Sequence, residues 1–390
     1  MLDVVELVCD LVKIPSINPM GREIEGSDCF EHDVTDYLQN LFERLGLPFE
    51  RHEVEPGRAN VIARLEGDER LVMLEAHQDT VPVDGMTIEP FSAEVRYGRV
   101  HGRGACDVKG GMASMLAAIS RLRDESHNNI PTVVMACTVD EEHGVKGASH
   151  LSEVILSGKS NLLQRIPDAA IVAEPTELNV VVAHKGVVRW KCHTKGRACH
   201  SSQPEQGENA IYKMSSVLDV IERYANEAVP QIKQHLLLGQ PSLSVGTITG
   251  GVSVNTVPDR CTVEIDRRLL PGEDPEEAFQ HAVQFIAENV ALDGVIHDLP
   301  TTATNGLSDS HNSELATQLN AAASACGASG QHIGVPYGTN APQYSTVGIP
   351  TVVFGPGSIE QAHTKDEWIS IDQLTTATQI LCDFIKTRPS

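Results

Sequence analysis

Apolar positions along the first third of the chain recur at helical spacing. Residues 3–13 form an amphipathic pattern that predicts a short helix, closed by the Ile14-Pro15 step, because a residue before proline is driven from the helical region. Val34, Leu38, Leu41 and Leu45 repeat at three- and four-residue intervals, and Gly46 follows as a stop. Short apolar runs then alternate with helical patterns. LVMLEA (71–76), TVVMACTV (132–139) and DAAIVA (168–173) have the length of buried strands. Met112, Met115, Leu116, Ile119 and Leu122 share one face of a helix over 108–123, and another helix runs through Leu151 and Val154. Strands that alternate with helices predict a mostly parallel sheet flanked by helices, an α/β fold.

The pattern changes near 186. GVVRWKCHTKG reads as a strand, and Ile211, Met214, Leu218 and Ile221 mark a helix. LSVGTIT and CTVEIDRRLL read as two more strands, followed by a helix over 275–290. That β-α-β-β-α order is typical of a small α+β module, with helices on one face of an antiparallel sheet. Beyond 300 the α/β character returns, with a helix over 311–325, a strand and loop in TVVFGPG (351–357) and a closing helix over 371–387. The expectation is a catalytic α/β domain made of 1–184 and 301–390, interrupted by an inserted α+β domain over 185–300.

Composition narrows the function classes. A chain of 390 residues, 41% hydrophobic and 21% charged, has length for two to three domains and a core that needs no disulfides. Its 30 Lys plus Arg against 53 Asp plus Glu give a net charge of −23, which argues against nucleic acid as a partner and favours cationic ligands or metal ions. Nine cysteines are scattered without a CxxC pair, as expected for thiols in a reducing cytoplasm. The N-terminus carries acidic residues where a signal peptide would be positive, and no apolar stretch reaches the roughly 18 residues a membrane span needs. A cytoplasmic protein with no membrane partner is expected.

Ligands of an open parallel sheet gather beyond the carboxyl ends of its strands. Strand 71–76 ends in His77-Gln78-Asp79, strand 132–139 in Asp140-Glu141-Glu142, and strand 168–173 in Glu174. His363 follows the strand at 351–354, and Asp107 lies just before the helix near 108. Two imidazoles and three carboxylates suit zinc, with cobalt or manganese as substitutes. Five side chains exceed the three a single catalytic zinc takes, so two divalent metal ions sharing a carboxylate are expected. Asp79, two residues after His77, is placed to accept from the imidazole nitrogen that faces away from the metal. In Asp140-Glu141-Glu142 one carboxylate can bind metal while its neighbour serves as general base. Each motif has a plainer reading: a chance HxD, a solvated acidic loop, a glutamate closing a strand. Their common placement at one sheet edge favours a site.

LEAHQDTVP, GRGACDVKGG, TVDEEHG, IVAEPTEL, HKG, GRACHSS, SVNTVPD, DRRLLPGE and GPGSIEQAH occur in this order over nearly the whole chain. The set resembles the dinuclear zinc amidohydrolase and exopeptidase family that includes acetylornithine deacetylase, succinyl-diaminopimelate desuccinylase and aminoacylase-1. The resemblance implies one metal on His77, Asp107 and Glu174, and a second on Asp107, Glu142 and His363, with Asp107 bridging. It implies Glu141 as general base for a water activated between the metals. His200 of GRACHSS would stabilise the tetrahedral oxyanion, reaching in from the partner subunit of a homodimer paired through the inserted domain. Arg268 of DRRLLPG would contact a substrate carboxylate, Asn255 would lie near the other subunit's site, and Gly357 in GPGS would allow close backbone approach. The plainer readings are a turn histidine, a surface ion pair, a turn before Pro258 and a tight turn. Cys199 has no paired base and is discounted as a nucleophile.

Within the family, HKG at 184–186, YGTNAP at 337–342 and GPGSIEQAH at 355–363 look most like the acetylornithine-deacetylating members, and that resemblance implies N-acetylornithine, cleaved to acetate and ornithine, or a close N-acyl amino acid. The alternatives are an N-succinyl substrate of the desuccinylase type and a broader aminoacylase or dipeptidase. A non-catalytic binding protein is disfavoured because Glu141 and every ligand position are present. A dinucleotide enzyme is disfavoured because Asp107 stands where Gly102-Arg103-Gly104 would need its third glycine.

Overall fold

The computed structural model describes residues 1–23, 26–125 and 130–387. They divide into two units. The first comprises Met1–Val182, Asp309–Ile333 and Thr339–Ser390, and the second Ala183–Ser308 with Gly334–Gly338.

The first helix of unit one, Val4–Lys13, starts where the Asp3 carboxylate accepts from the amides of Val5 and Glu6, and stops at Ile14. His32–Leu45 ends on Gly46, whose φ of 64° lets its amide reach back to the carbonyls of Glu43 and Phe42. Among the described residues the sheet has eight strands, in the spatial order Phe49–Glu55, Arg58–Leu65, Pro131–Thr138, Asp68–His77, Ala169–Val172, Thr351–Val353, Val180–His184 and His332–Val335. Its centre is parallel: Pro131–Thr138, Asp68–His77, Ala169–Val172 and Thr351–Val353 all run the same way. Both faces of such strands are covered, and every residue of Pro131–Thr138 is buried. The helix Gly110–Asp124 packs Met112, Met115, Leu116, Ile119 and Leu122 into the same core as Leu11, Leu38 and Ile380.

Antiparallel strands flank this centre, and the sequence pattern did not predict them. Arg58–Leu65 runs antiparallel to Pro131–Thr138, and Phe49–Glu55 pairs outside it. Phe49–Glu55 is half-exposed and mostly charged, so it carries no apolar run to mark it. The helix expected from 108 begins at Gly110. Residues 105–109 form a wide turn in which Asp107 and Val108 leave helical dihedrals, with a cis peptide between them.

Unit two is an antiparallel sheet in the order Ser242–Gly250, Arg260–Leu269, Gly186–Lys195 and Val295–His297, with Thr302–Thr304 also paired to Gly186–Lys195. Val188, Trp190, Cys192, Val263 and Ile265 point to one face and pack with Met214 and Ile221 of the helix Ala210–Arg223 and Phe279 of Pro275–Asn289. The alternate positions Arg189, Lys191, Glu264 and Asp266 form ion pairs on the other face. The unit runs to Ser308 rather than 300, because the short strand Thr302–Thr304 still adds to this sheet. No helix among the described residues is long and apolar enough to cross a membrane.

Candidate metal centre and catalytic site

The carboxyl ends of the four parallel strands deliver the polar residues of unit one. His77 is the last residue of Asp68–His77, Asp140-Glu141-Glu142 follows Pro131–Thr138, Glu174 follows Ala169–Val172, and His363 lies in the loop beyond Thr351–Val353. Asp107 comes from the wide turn before Gly110–Asp124. Its Oδ1 lies 3.2 Å from His77 Nε2 and its Oδ2 lies 3.2 Å from His363 Nε2. His363 Nε2 is also 3.2 Å from Glu142 Oε2. One ligand atom from each of His77, Asp107 and Glu174 falls within 4.8 Å of the others, and the same holds for Asp107, Glu142 and His363. The two triads share Asp107.

The electrostatics suit cations. His77, Asp107 and Glu174 are all buried. Burial, then the neighbouring charges, hold the Glu174 and Glu141 carboxyls well above the usual range and push Glu142 up to about 7. Hydrogen bonds to Asp107 and Glu142 raise the His363 imidazole to about 11. Burial alone would lower His77, but Asp107 and Asp79 outweigh it and hold the ring above its ordinary value. Glu142 Oε1 is buried with no hydrogen-bond partner. Crowded carboxylates, mixed N and O donors and an unmatched buried oxygen fit a pair of divalent cations.

The His77 ring is oriented differently from the expectation. Its Nδ1 donates to the Asp79 main-chain carbonyl at 2.9 Å, which leaves Nε2 facing Asp107. The Asp79 carboxylate stands 3.6 Å from Nδ1 and instead accepts from the amides of Glu141 and Glu142. A backbone carbonyl fixes the tautomer as well as a carboxylate does, so Asp79 is free to hold the next loop.

Residues 73–387 match the model of peptidase family M20/M25/M40. The chain belongs to this family. It is a metal-dependent amidohydrolase of the M20 type. It is 32% identical over 355 residues to acetylornithine deacetylase of Vibrio parahaemolyticus, covering 89% of each chain. Its fold is similar to an M20 metallo-carboxypeptidase from Sulfolobus solfataricus, with a TM-score of 0.78, 20% identity and 99% of each chain covered. It is also similar to a dinuclear metal-binding M20 peptidase from Bacillus subtilis, with a TM-score of 0.68 and 18% identity over 98% of this chain and 96% of that one.

The other residues picked out by the resemblance divide by location. His200 is exposed on the two-residue strand Cys199–His200, paired with Thr256–Val257 in unit two. Its Nδ1 lies 2.7 Å from Ser202 Oγ. Asn255 is beside it, accepting on its main-chain oxygen from the Ser201 amide at 3.0 Å. Arg268, also in unit two, donates from Nε to Asp266 at 2.7 Å. The Gly357 N–H donates to Gln373 Oε1 at 2.6 Å, and a Cβ there would lie 2.6 Å from Cys106 Sγ. Its φ of 93° and this contact require glycine for packing the loop.

Sequence reasoning missed Glu367. It is fully buried, and its carboxylate accepts from the amides of Gly104, Cys106 and Asp107 and from Arg103, so it cradles the turn that presents Asp107. In TKDEWIS it resembles any charged loop residue, and nothing local marks it.

Proposed function

We propose that this M20 chain hydrolyses N-acetylornithine to acetate and ornithine, with zinc as the native metal and cobalt or manganese as substitutes. The observation that carries the hydrolytic reading is the pair of triads joined at Asp107, beside a glutamate that belongs to neither. The curated relatives named acetylornithine deacetylase, aligned over most of the chain, support the substrate. All nine cysteines are thiols rather than disulfides, which supports a cytoplasmic setting.

His77, Asp107 and Glu174 would hold one cation, and Asp107, Glu142 and His363 the other. Bound there, the cations acidify water and polarise an amide carbonyl. Glu141, half-buried and held above its ordinary carboxyl range, accepts a proton from the attacking water and delivers it to the departing amine. One C–O bond forms as the C–N bond breaks, so acetate and ornithine leave in equal amounts. The Arg268 guanidinium suits the α-carboxylate. His200, donating from the partner subunit of a homodimer, suits the oxyanion.

The test is turnover of N-acetyl and N-succinyl amino acids by metal-loaded protein. N-acetylornithine should be the fastest substrate, activity should vanish with chelator, and zinc or cobalt should restore it. Faster cleavage of an N-succinyl amino acid would displace the substrate assignment. Full activity in chelator would overturn the metal-dependent mechanism.

A further inference from the structure

Four consecutive amides after the strand Pro131–Thr138 are taken by side chains. Val139 N–H donates to Asn60 Oδ1, Asp140 N–H to Glu31 Oε1, and the amides of Glu141 and Glu142 to the two oxygens of Asp79, each at 3.1 Å. The path of this segment is therefore set by residues from three other elements. Glu31 immediately precedes the helix His32–Leu45, Asn60 lies in Arg58–Leu65, and Asp79 follows Asp68–His77. Because Glu141 and Glu142 hang from one carboxylate, moving Asp79 moves both.

We propose that Asn18, Glu31 and Arg58 are positioning residues that fix Glu141 and Glu142 through Asp79 and Asp140. The proposal rests on the roles assigned to those two glutamates above. Asn18 is buried, and its Nδ2 donates to Asp79 Oδ2 at 2.8 Å and to Asp140 Oδ1 at 3.0 Å. Both carboxylates are buried, so without that amide they would face one another as like charges. Asn18 is itself pinned: its main-chain N–H donates to the Thr80 carbonyl at 2.8 Å and its Oδ1 accepts from Met20 N–H at 3.0 Å. Arg58 forks onto Glu31, with Nε to Oε2 at 2.8 Å and Nη2 to Oε1 at 2.5 Å. Its Nη1 reaches Asp140 Oδ1 at 3.0 Å and Glu55 Oε2 at 3.1 Å. One guanidinium thus joins the acceptor of the Asp140 amide to the Asp140 side chain.

The chemistry argues for placement rather than bulk stability. Three buried carboxylates with their donors are a costly way to fill space, and apolar residues of the same volume would serve stability as well. What the charged arrangement supplies is acceptors aimed at one irregular segment. That segment carries the proposed base and one proposed metal ligand.

The experiment compares Asn18→Leu and Arg58→Lys with the wild-type chain. The leucine keeps the volume but offers no donor, and the lysine keeps the charge but cannot fork onto Glu31 while reaching Asp140. Each variant is checked for folding by circular dichroism, assayed for kcat and KM on N-acetylornithine, and titrated with Co²⁺ by visible absorption. Both should lose about 10- to 100-fold in kcat with KM within about twofold, Asn18→Leu the more. The weaker of two Co²⁺ binding steps should weaken by about tenfold or more. If Asn18→Leu does not fold, Arg58→Lys carries the same test. Wild-type kcat and Co²⁺ affinity in a folded variant would overturn the proposal, as would a kcat loss that only tracks the unfolded fraction. A wild-type chain without amidase activity would refute the proposed function instead, and the Co²⁺ titrations would still decide the positioning.

Discussion

Adjacent glutamates 141 and 142 share one acceptor for their amides, yet their side chains sit in different company. Glu142 Oε2 approaches His363 Nε2 at 3.2 Å and belongs to the triad on Asp107, whereas Glu141 stands outside both triads. Burial raises both carboxyls, Glu142 to about 7 and Glu141 well above its ordinary value. A carboxyl raised in this way is a better proton carrier near neutral pH, provided a metal does not claim it. Glu141→Gln should therefore fold and retain two metals per chain while losing about two to four orders of magnitude in turnover. Glu142→Gln should instead show reduced occupancy of one metal by elemental analysis. Equal turnover in wild type and Glu141→Gln, with the loss falling on Glu142→Gln alone, would mean the roles are exchanged.

At the scale of elements, legibility followed how local the signal was. The helices Val4–Lys13, His32–Leu45 and Gly110–Asp124 and the four parallel strands carry their own apolar periodicity, so the ligands at the strand ends could be read with them. The flanking strands Phe49–Glu55 and His332–Val335 and the three-residue strands Glu94–Arg96, Arg99–His101 and Trp368–Ser370 are too polar or too short to stand out. The residues that hold the ligands in place were hidden for a different reason. Glu367 meets Asp107 across 260 positions and Arg58 meets Asp140 across 82, separations that no spacing rule detects. The strand Val180–His184 carries a titration prediction of its own. Its last residue, His184, is fully buried, and burial lowers its pKa to about 4, partly countered by a hydrogen bond to the Lys185 carbonyl. The unfolded chain, with an ordinary histidine near 6.5, binds the proton more readily, so stability is complete above that value and falls as pH drops towards 4. Between pH 7.5 and 5 the contribution is about 2 kcal/mol. His184→Asn, which keeps a donor for the carbonyl, should flatten the acid side of the unfolding profile by that amount in denaturant titrations. Parallel profiles for the two proteins would refute it.

For the whole molecule, the open question is where His200 acts. Unit two leaves Ser242–Gly250 as an edge strand, and apolar Ile248, Val252 and Val254 on and beyond it are exposed. An uncovered edge of this kind is a liability in an isolated chain and a natural seam for a two-fold pair. His200 is exposed in the same unit, beside Asn255, and its Nδ1 is engaged by Ser202. The proposal that it serves the partner's site is decided by mixing two inactive proteins, His200→Ala and Glu141→Gln. With free exchange at equal amounts, half the dimers are mixed. If His200 is donated across the dimer, each mixed dimer has one site with both groups intact and one with neither, so about a quarter of wild-type activity should return. If His200 acts within its own chain, every site in the mixture keeps one defect and no activity is recovered. Exchange is verified separately by native mass spectrometry of differently tagged chains, so that silence after demonstrated exchange refutes donation in trans, and recovery requires a site shared between subunits.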